Sequence, residues 1–251
     1  MSSSSPTRVA LVTGAARGLG RAIAEALAAD GVTLLLVDIL GDRLQQTCAD
    51  LEASGARCIP HVADISERQQ CIAAVEHAVA AFGRLDILCN AAGIVRFNHA
   101  TEVPEDEWQK IMAINVSGPF WLCQAAIPHL LESHGNIVNV TSQSALIGAA
   151  YIVPYSASKG ALLQMTRSLA MEYIDAPIRI NAVSPGAMAT EISLDSPMPE
   201  GMDRTKIMRF SGVRPPSDAA EVANLVAFVA SEKASAVHGA VLCADGGVTT
   251  G

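Results

Sequence analysis

A chain of 251 residues, 50% hydrophobic but only 4% aromatic, has room for one large domain or two small ones, with a mostly aliphatic core. Its formal net charge of −8, without a long basic stripe, argues against nucleic acid or an anionic membrane as partner. Six cysteines without a CxxC pair read as the buried thiols of a cytoplasmic protein, and six histidines without ligand spacing argue against a metal site.

The opening residues 1–7 lack a basic region followed by an apolar stretch, so they read as a disordered tail rather than a signal peptide. From Arg8 onward short apolar runs alternate with helical patterns. Arg8–Thr13 reads as a strand and Gly18–Asp30 as a helix. Val32–Val37 is a buried strand, followed by a helix near Asp42–Ala53. Arg57–Val62 is the third strand, with a helix near Glu67–Phe82, and Asp86–Cys89 is the fourth. One long helix is expected from Glu105 to Glu132, where Trp108, Ile111 and Met112 begin an i, i+3, i+4 stripe. Asn136–Val140, a helix carrying Tyr155 to about Glu172, Ile178–Val183, a helix over Asp218–Ala230 and Ala240–Cys243 complete the order. Apolar runs such as Val32–Val37 are too short to span a bilayer. Such alternation predicts a single α/β domain over residues 8–251, a doubly wound, seven-stranded parallel sheet of Rossmann type with helices on both faces. Residues 188–217 form the one long irregular stretch, which points to function.

Three features point to a nucleotide. Directly after the first strand, Thr13-Gly14-Ala15-Ala16-Arg17-Gly18-Leu19-Gly20 offers glycines for a tight turn and a helix N-terminus for a pyrophosphate. Asp38 ends the second strand, where a carboxylate accepts hydrogen bonds from ribose hydroxyls and repels a 2′-phosphate. Ile39 and Leu40 follow it rather than Arg, which favours NAD over NADP; Arg17 is a counter-signal, since it could reach a 2′-phosphate. Asp64, after the third strand, could accept from an adenine amino group or cap the following helix.

Tyr155 and Lys159 lie four apart and therefore share a helix face, with Pro154 suited to the first turn. At ~5 Å and an effective dielectric of ~20, the lysine charge favours tyrosinate by roughly 3 kcal/mol, which predicts a phenol pKa lowered by about two units. Such a phenol serves as an acid or base near neutral pH.

These motifs together resemble the short-chain dehydrogenase/reductase superfamily, in its single-domain subgroup of about this length. The resemblance runs from Arg8 to Gly247. It rests on Thr13-Gly14-x3-Gly18-x-Gly20, Asn90-Ala91-Ala92-Gly93, Asn115, Ser142, Tyr155-x3-Lys159 and Pro185-Gly186 in that order. It implies Tyr155 as general acid/base and Lys159 as the group that lowers its pKa and binds the nicotinamide ribose. It implies Ser142 as the group positioning the substrate oxygen, and Asn115 as holder of a water that links Lys159 to solvent. Asn90, Ala91 and Gly93 are implied on the adenosine side and in support of the sheet, and Pro185, Gly186, Met188 and Thr190 near the carboxamide. Leu19, Ile39 and Ile65 complete the expected cofactor contacts. The family's second Asn is Ala91 here, which weakens a supporting hydrogen bond. Ser144 and Tyr151 are rivals by residue type, but the spacing favours Ser142, and Tyr151 has no Lys four residues on. The resemblance also implies a homotetramer.

Residues 188–217 are expected as a substrate lid, with Met188, Ile192, Leu194, Met198, Met202, Ile207, Met208 and Phe210 offering an adaptable apolar pocket. Arg204, Lys206, Arg209 and Arg214 form a basic cluster that reads more readily as a solvated face than as an anion site. The resulting expectation is NAD-dependent interconversion of a small-molecule secondary alcohol and ketone. The rival is a 3-oxoacyl-[acyl-carrier-protein] reductase using NADPH, against which Asp38, Glu132, Glu172 and Asp175 argue. A non-catalytic nucleotide-binding scaffold would be expected to lack one of Asn115, Ser142, Tyr155 and Lys159, and all four are present.

Overall fold

Near-continuous apolar runs such as Val9–Thr13 and Thr33–Asp38 have no face left for water, and both become central strands covered on two sides. The computed structural model describes residues 7–188, 190 and 198–250. Most of the expected tail, and the lid residues Ile192 and Leu194, lie outside the described residues. The strands are β1 Val9–Thr13, β2 Thr33–Asp38, β3 Cys58–Val62, β4 Ile87–Asn90, β5 Asn136–Val140, β6 Arg179–Pro185 and β7 Val241–Ala244. They form one seven-stranded parallel sheet in the order β3-β2-β1-β4-β5-β6-β7. Chain order reverses between β1 and β4. At such a switch point the carboxyl ends of the strands open a crevice for ligand.

Helices α1 Gly18–Ala29, α2 Gly41–Ala53 and α8 Ala219–Ala230 cover one face, packing Ile23, Leu27, Leu44, Val222 and Val226 against the sheet. On the other face lie α3 Arg68–Phe82, α5 Gly118–Ser133 and α6 Val153–Glu172, which contribute Val75, Leu122, Leu130 and Ala170. A capping box at Asp218 and Glu221 starts α8.

Two expectations change. The helix expected over Glu105–Glu132 consists of α4 Glu105–Met112, a π-helical turn at Ala113–Ser117, and α5. The stretch Glu105–Ser133 is long and apolar enough to pass for a membrane span by length and composition, unlike the short runs read from the sequence. Burial of its apolar face against α3 and β4 accounts for that composition. The stretch expected to be irregular contains helix α7, Arg204–Ser211, whose N-cap Asp203 accepts from the Thr205 amide.

A buried polar chain crosses the second face. Asn90 Nδ2 donates to Asn139 Oδ1 at 2.8 Å, Asn139 Nδ2 to Thr166 Oγ1 at 2.9 Å, and Thr166 Oγ1 to the Leu162 carbonyl at 2.8 Å. The chain pins α6, which carries Tyr155 and Lys159, onto β4 and β5.

Candidate active site

At the switch point the strand ends surround a cleft of about 370 Å³. One wall is the turn Gly14–Gly20. Gly14 has φ +69°, and a Cβ on Gly20 would collide with the Gly14 carbonyl oxygen, so only glycines allow the loop to fold this tightly. Thr13 holds the opposite wall. Its hydroxyl accepts from the amides of Ala91 and Ala92, both at 3.0 Å. Thr47 of α2 donates to the Ala16 carbonyl at 3.2 Å and secures the loop from behind.

Asp38 closes the far end. One carboxylate oxygen accepts from the Ala16 amide and the other from the Leu40 amide, each at 3.0 Å. These bonds fix the carboxylate and leave lone pairs directed outward for further donors. Beside it, Asp64 accepts from the Ser66 amide at 2.9 Å in an Asx turn leading towards α3. Asp64 therefore lines the cleft and organises the turn at once. The N-cap of α3 is Glu67, without a side-chain cap.

The near end carries the hydroxyl groups. Ser142 follows β5, and its Oγ accepts from the amide and hydroxyl of Ser144 at 3.2 and 3.1 Å. Ser144 is thus a partner of Ser142 rather than its rival. Tyr155 lies in the first turn of α6, which has a proline near its start. One turn on, Lys159 is only 3% exposed. Its ammonium donates to the Val140 carbonyl at 2.8 Å and stands 5.7 Å from the centre of the Tyr155 ring.

The electrostatics differ from the expected lowering of the Tyr155 pKa. The ring is enclosed by protein with one edge on the cleft, and burial pushes the phenol above its ordinary value; a hydrogen bond with the Ser142 side chain pulls it partly back. Burial also pushes Lys159 down to about 8. The charge argument from spacing omitted the cost of burying both groups. In this structure that cost is the larger effect.

Asn115 sits in the π turn and is fully buried. Its Oδ1 accepts from the Ile94 amide, and its Nδ2 donates to the Ile94 carbonyl and to Ser158 Oγ, each at 2.9 Å. Ser158 Oγ in turn donates to the Tyr155 carbonyl at 2.7 Å. Both side-chain N–H groups are committed to protein, so the amide is a strut between the π turn, the loop after β4, and α6. The water-holding role implied for Asn115 does not fall on those N–H groups. Helix widening of this kind often marks a functional position.

The cleft wall includes Gly14, Arg17, Gly18, Leu19, Gly20, Asp38, Ile39, Asp64, Ile65, Ala91 and Gly93. It also includes Ser142, Tyr155, Lys159, Pro185, Gly186, Met188 and Thr190. Asn90 is corrected in part: its side chain is absent from the wall, and it supports the sheet through the polar chain described above. The reading missed Thr13, Ser158, Ile94, Arg96 and Lys110. Thr13 and Ser158 lie inside motifs already singled out, but their bonding depends on segments distant in sequence. Arg96 and Lys110 reach the wall from a loop and a helix face that carry no motif.

The α7 region is tied to the segment that carries Gln143 and Tyr151. Tyr151, at φ +66°, accepts on its hydroxyl from the Asp203 amide at 2.9 Å, at the start of α7. Gln143 donates to the Phe210 carbonyl at 2.5 Å, near the end of α7. His99 Nε2 meets the Glu200 carbonyl at 2.9 Å, and its ring packs edge-on to Tyr151. Arg204, Lys206 and Arg214 are exposed, which agrees with a solvated face; the Arg209 side chain lies outside the described residues. Met198 and Met208 are also exposed, so they do not line a closed pocket.

Comparison with known proteins gives one picture. A family model described as enoyl-(acyl carrier protein) reductase matches residues 14–249. An uncharacterized oxidoreductase of Thermotoga maritima is 36% identical, over 96% of this chain and 97% of its own length. A 3-oxoacyl-[acyl-carrier-protein] reductase of the same organism is 33% identical, over 96% and 97%. Among solved structures, a short chain dehydrogenase of Mycobacterium paratuberculosis bound to NAD superposes with a TM-score of 0.90 at 28% identity, over 97% of this chain and 98% of that one. A short chain dehydrogenase of Burkholderia cenocepacia in complex with NADP gives a TM-score of 0.87 at 35% identity, over 97% and 98%.

Proposed function

We propose that this chain, which belongs to the short-chain dehydrogenase/reductase superfamily and is an oxidoreductase acting on alcohol or ketone groups, uses NAD(H) to interconvert a small-molecule secondary alcohol and its ketone. The observation that carries the proposal is the convergence on one cleft of Ser142, Tyr155 and Lys159 at one end and the fixed Asp38 carboxylate at the other.

The residues fit a dinucleotide. The Gly14–Gly20 turn tolerates no Cβ at Gly20, and α1 presents its N-terminus there. Asp38 would receive the adenosine ribose hydroxyls and disfavour a 2′-phosphate. Lys159 would hold the second ribose. The nicotinamide, when bound, supplies hydride transfer.

The protein's part is proton handling and orientation. Ser142 donates to the substrate oxygen and aims it at Tyr155. In reduction the Tyr155 phenol gives its proton to that oxygen as negative charge develops there, and in oxidation the tyrosinate takes it. A phenol with a raised pKa is protonated at neutral pH, which suits the reductive direction. Asn115 and Ser158 hold the backbone at Tyr155, and Gln143 and Tyr151 keep the lid over the cleft.

A second reading, NADPH-dependent reduction of a 3-oxoacyl carrier protein, draws on the Thermotoga relative and on Arg17 in the cleft wall. Glu132, Glu172 and Asp175 lie at the C-terminal ends of α5 and α6, with Glu172 about 25 Å along α6 from Tyr155, so, contrary to expectation, they do not argue against an acidic carrier; Asp38 alone disfavours this reading. Exposed Trp108 and Phe120, with Met171 and Ile174 by the end of α6, suit helix packing between copies and support a homotetramer.

The test measures initial rates with NADH and NADPH against a panel of ketones and secondary alcohols. NADH is expected to give the higher kcat/KM; equal or better turnover with NADPH overturns the cofactor assignment. Tyr155→Phe is expected to lose about 10²-fold or more in kcat while NADH still binds, and substantial residual turnover moves the acid/base role elsewhere.

A further inference from the structure

Cys48 on α2 and Cys58 on β3 are ten residues apart and play no part in the cleft chemistry. Their sulfurs lie 2.7 Å from each other, and the Cys58 thiol also approaches the Cys48 carbonyl at 3.4 Å. Both side chains are buried, yet the carboxylate of exposed Glu52 lies within 4.8 Å of both sulfurs, so the pair sits just beneath the surface. The other buried cysteines, Cys71, Cys89 and Cys123, have no sulfur partner among the described residues.

We propose that Cys48 and Cys58 are a latent disulfide site, closed by a peroxide to clamp α2 onto β3 behind the glycine-rich turn. The competing use of the three groups is a soft divalent cation. Tetrahedral coordination at about 2.3 Å per thiolate separates two sulfurs by ~3.8 Å, so they would have to part by about 1 Å. A disulfide at about 2.05 Å asks them to close by only ~0.7 Å. The observed separation favours the covalent bond.

The step balances. One thiolate attacks a peroxide oxygen, the O–O bond breaks, and water leaves with the thiol proton, giving a sulfenic acid. The second thiol attacks that sulfur, an S–S bond forms, and a second water departs. Two thiols and one hydrogen peroxide thus become a disulfide and two waters. Burial pushes both thiols above their ordinary pKa, so closure is slow at neutral pH and faster in mild alkali.

The consequence lies next door. Thr47 precedes Cys48 and donates to the Ala16 carbonyl, and the Ala16 amide donates to Asp38. A clamp at Cys48 therefore stiffens the adenosine-ribose end of the cleft.

The experiment treats the full chain, carrying Cys243→Ser to remove the exposed thiol, with hydrogen peroxide at pH 8. Non-reducing peptide mapping is expected to find a Cys48–Cys58 cross-link with a mass two hydrogens lighter, reversed by dithiothreitol. The oxidised chain is expected to melt about 5 °C higher, a rise absent in Cys48→Ser and Cys58→Ser. Neither readout depends on turnover or on the cofactor assignment. Peroxide that leaves both thiols free to alkylation, or only over-oxidises them, overturns the proposal. Stoichiometric zinc retained through desalting, lost in Cys48→Ser and protecting both thiols, overturns it in favour of a metal site.

Discussion

Replacing Lys159 with methionine separates what the residue does for the reaction from what it costs the fold. The side chain is 3% exposed, and burial holds its pKa at about 8 against 10.5 for an ordinary lysine. Between those values the unfolded chain binds a proton that the folded chain does not, so stability rises with pH across that window. Below about pH 7 both states carry the charge, and the folded state bears the full penalty. Integrating the difference from pH 7 to pH 10 gives about 2.5 kcal/mol of stability that wild type gains and Lys159→Met does not. Loss of the bond to the Val140 carbonyl adds a constant that does not vary with pH. Urea unfolding of both proteins, followed by Trp108 and Trp121 fluorescence at one protein concentration, measures the gap at each pH. A gap constant within about 0.5 kcal/mol from pH 7 to pH 10 refutes the reasoning, because Lys159 would then keep its charge in the fold. Turnover by the variant is expected to fall about 10²-fold or more across this range.

Gly20→Ala sets a Cβ against the Gly14 carbonyl, and neither backbone can yield without opening the turn; NADH affinity by fluorescence titration is expected to drop at least tenfold, and unchanged affinity would remove the turn from the cofactor site. Tyr151→Phe deletes the hydroxyl that receives the Asp203 amide, so substrate KM is expected to rise severalfold with NADH KM unchanged; a fall in kcat alone would place Tyr151 in the chemistry instead of the lid.

The strands themselves and the glycine turn were legible because both are local: β1 and β2 are unbroken apolar runs, and glycines mark tight turns. Asp38 was legible as the last residue of one such run. Asn115 was found by its motif, but the π turn that carries it was not, since a run of Trp108, Ile111 and Met112 reads as ordinary helix until the ladder slips by one residue. Helix α7 was missed because basic residues interrupt its Ile207 and Phe210 pair, while its cap, Asp203, which accepts from the Thr205 amide, gains meaning only once the Tyr151 hydroxyl holds Asp203's own amide in space.

The Tyr155 pKa marks the deeper limit of sequence. Spacing placed a cation beside a phenol and gave the sign of their attraction correctly. It could not report that the same packing that brings them together also buries both, lowering Lys159 towards neutrality and raising Tyr155. A lysine near its own titration point is a weaker activator than a fixed charge. Each member of the pair thus carries its own burial penalty, and the phenol is not a base tuned by a fixed neighbouring charge. Oxidation, which needs tyrosinate, is then expected to climb steadily from pH 7 to pH 9 without levelling off, while reduction, which needs the phenol, stays level. A plateau in oxidation or a decline in reduction within that window would contradict this assignment and return Tyr155 to the lowered pKa that its spacing alone suggested.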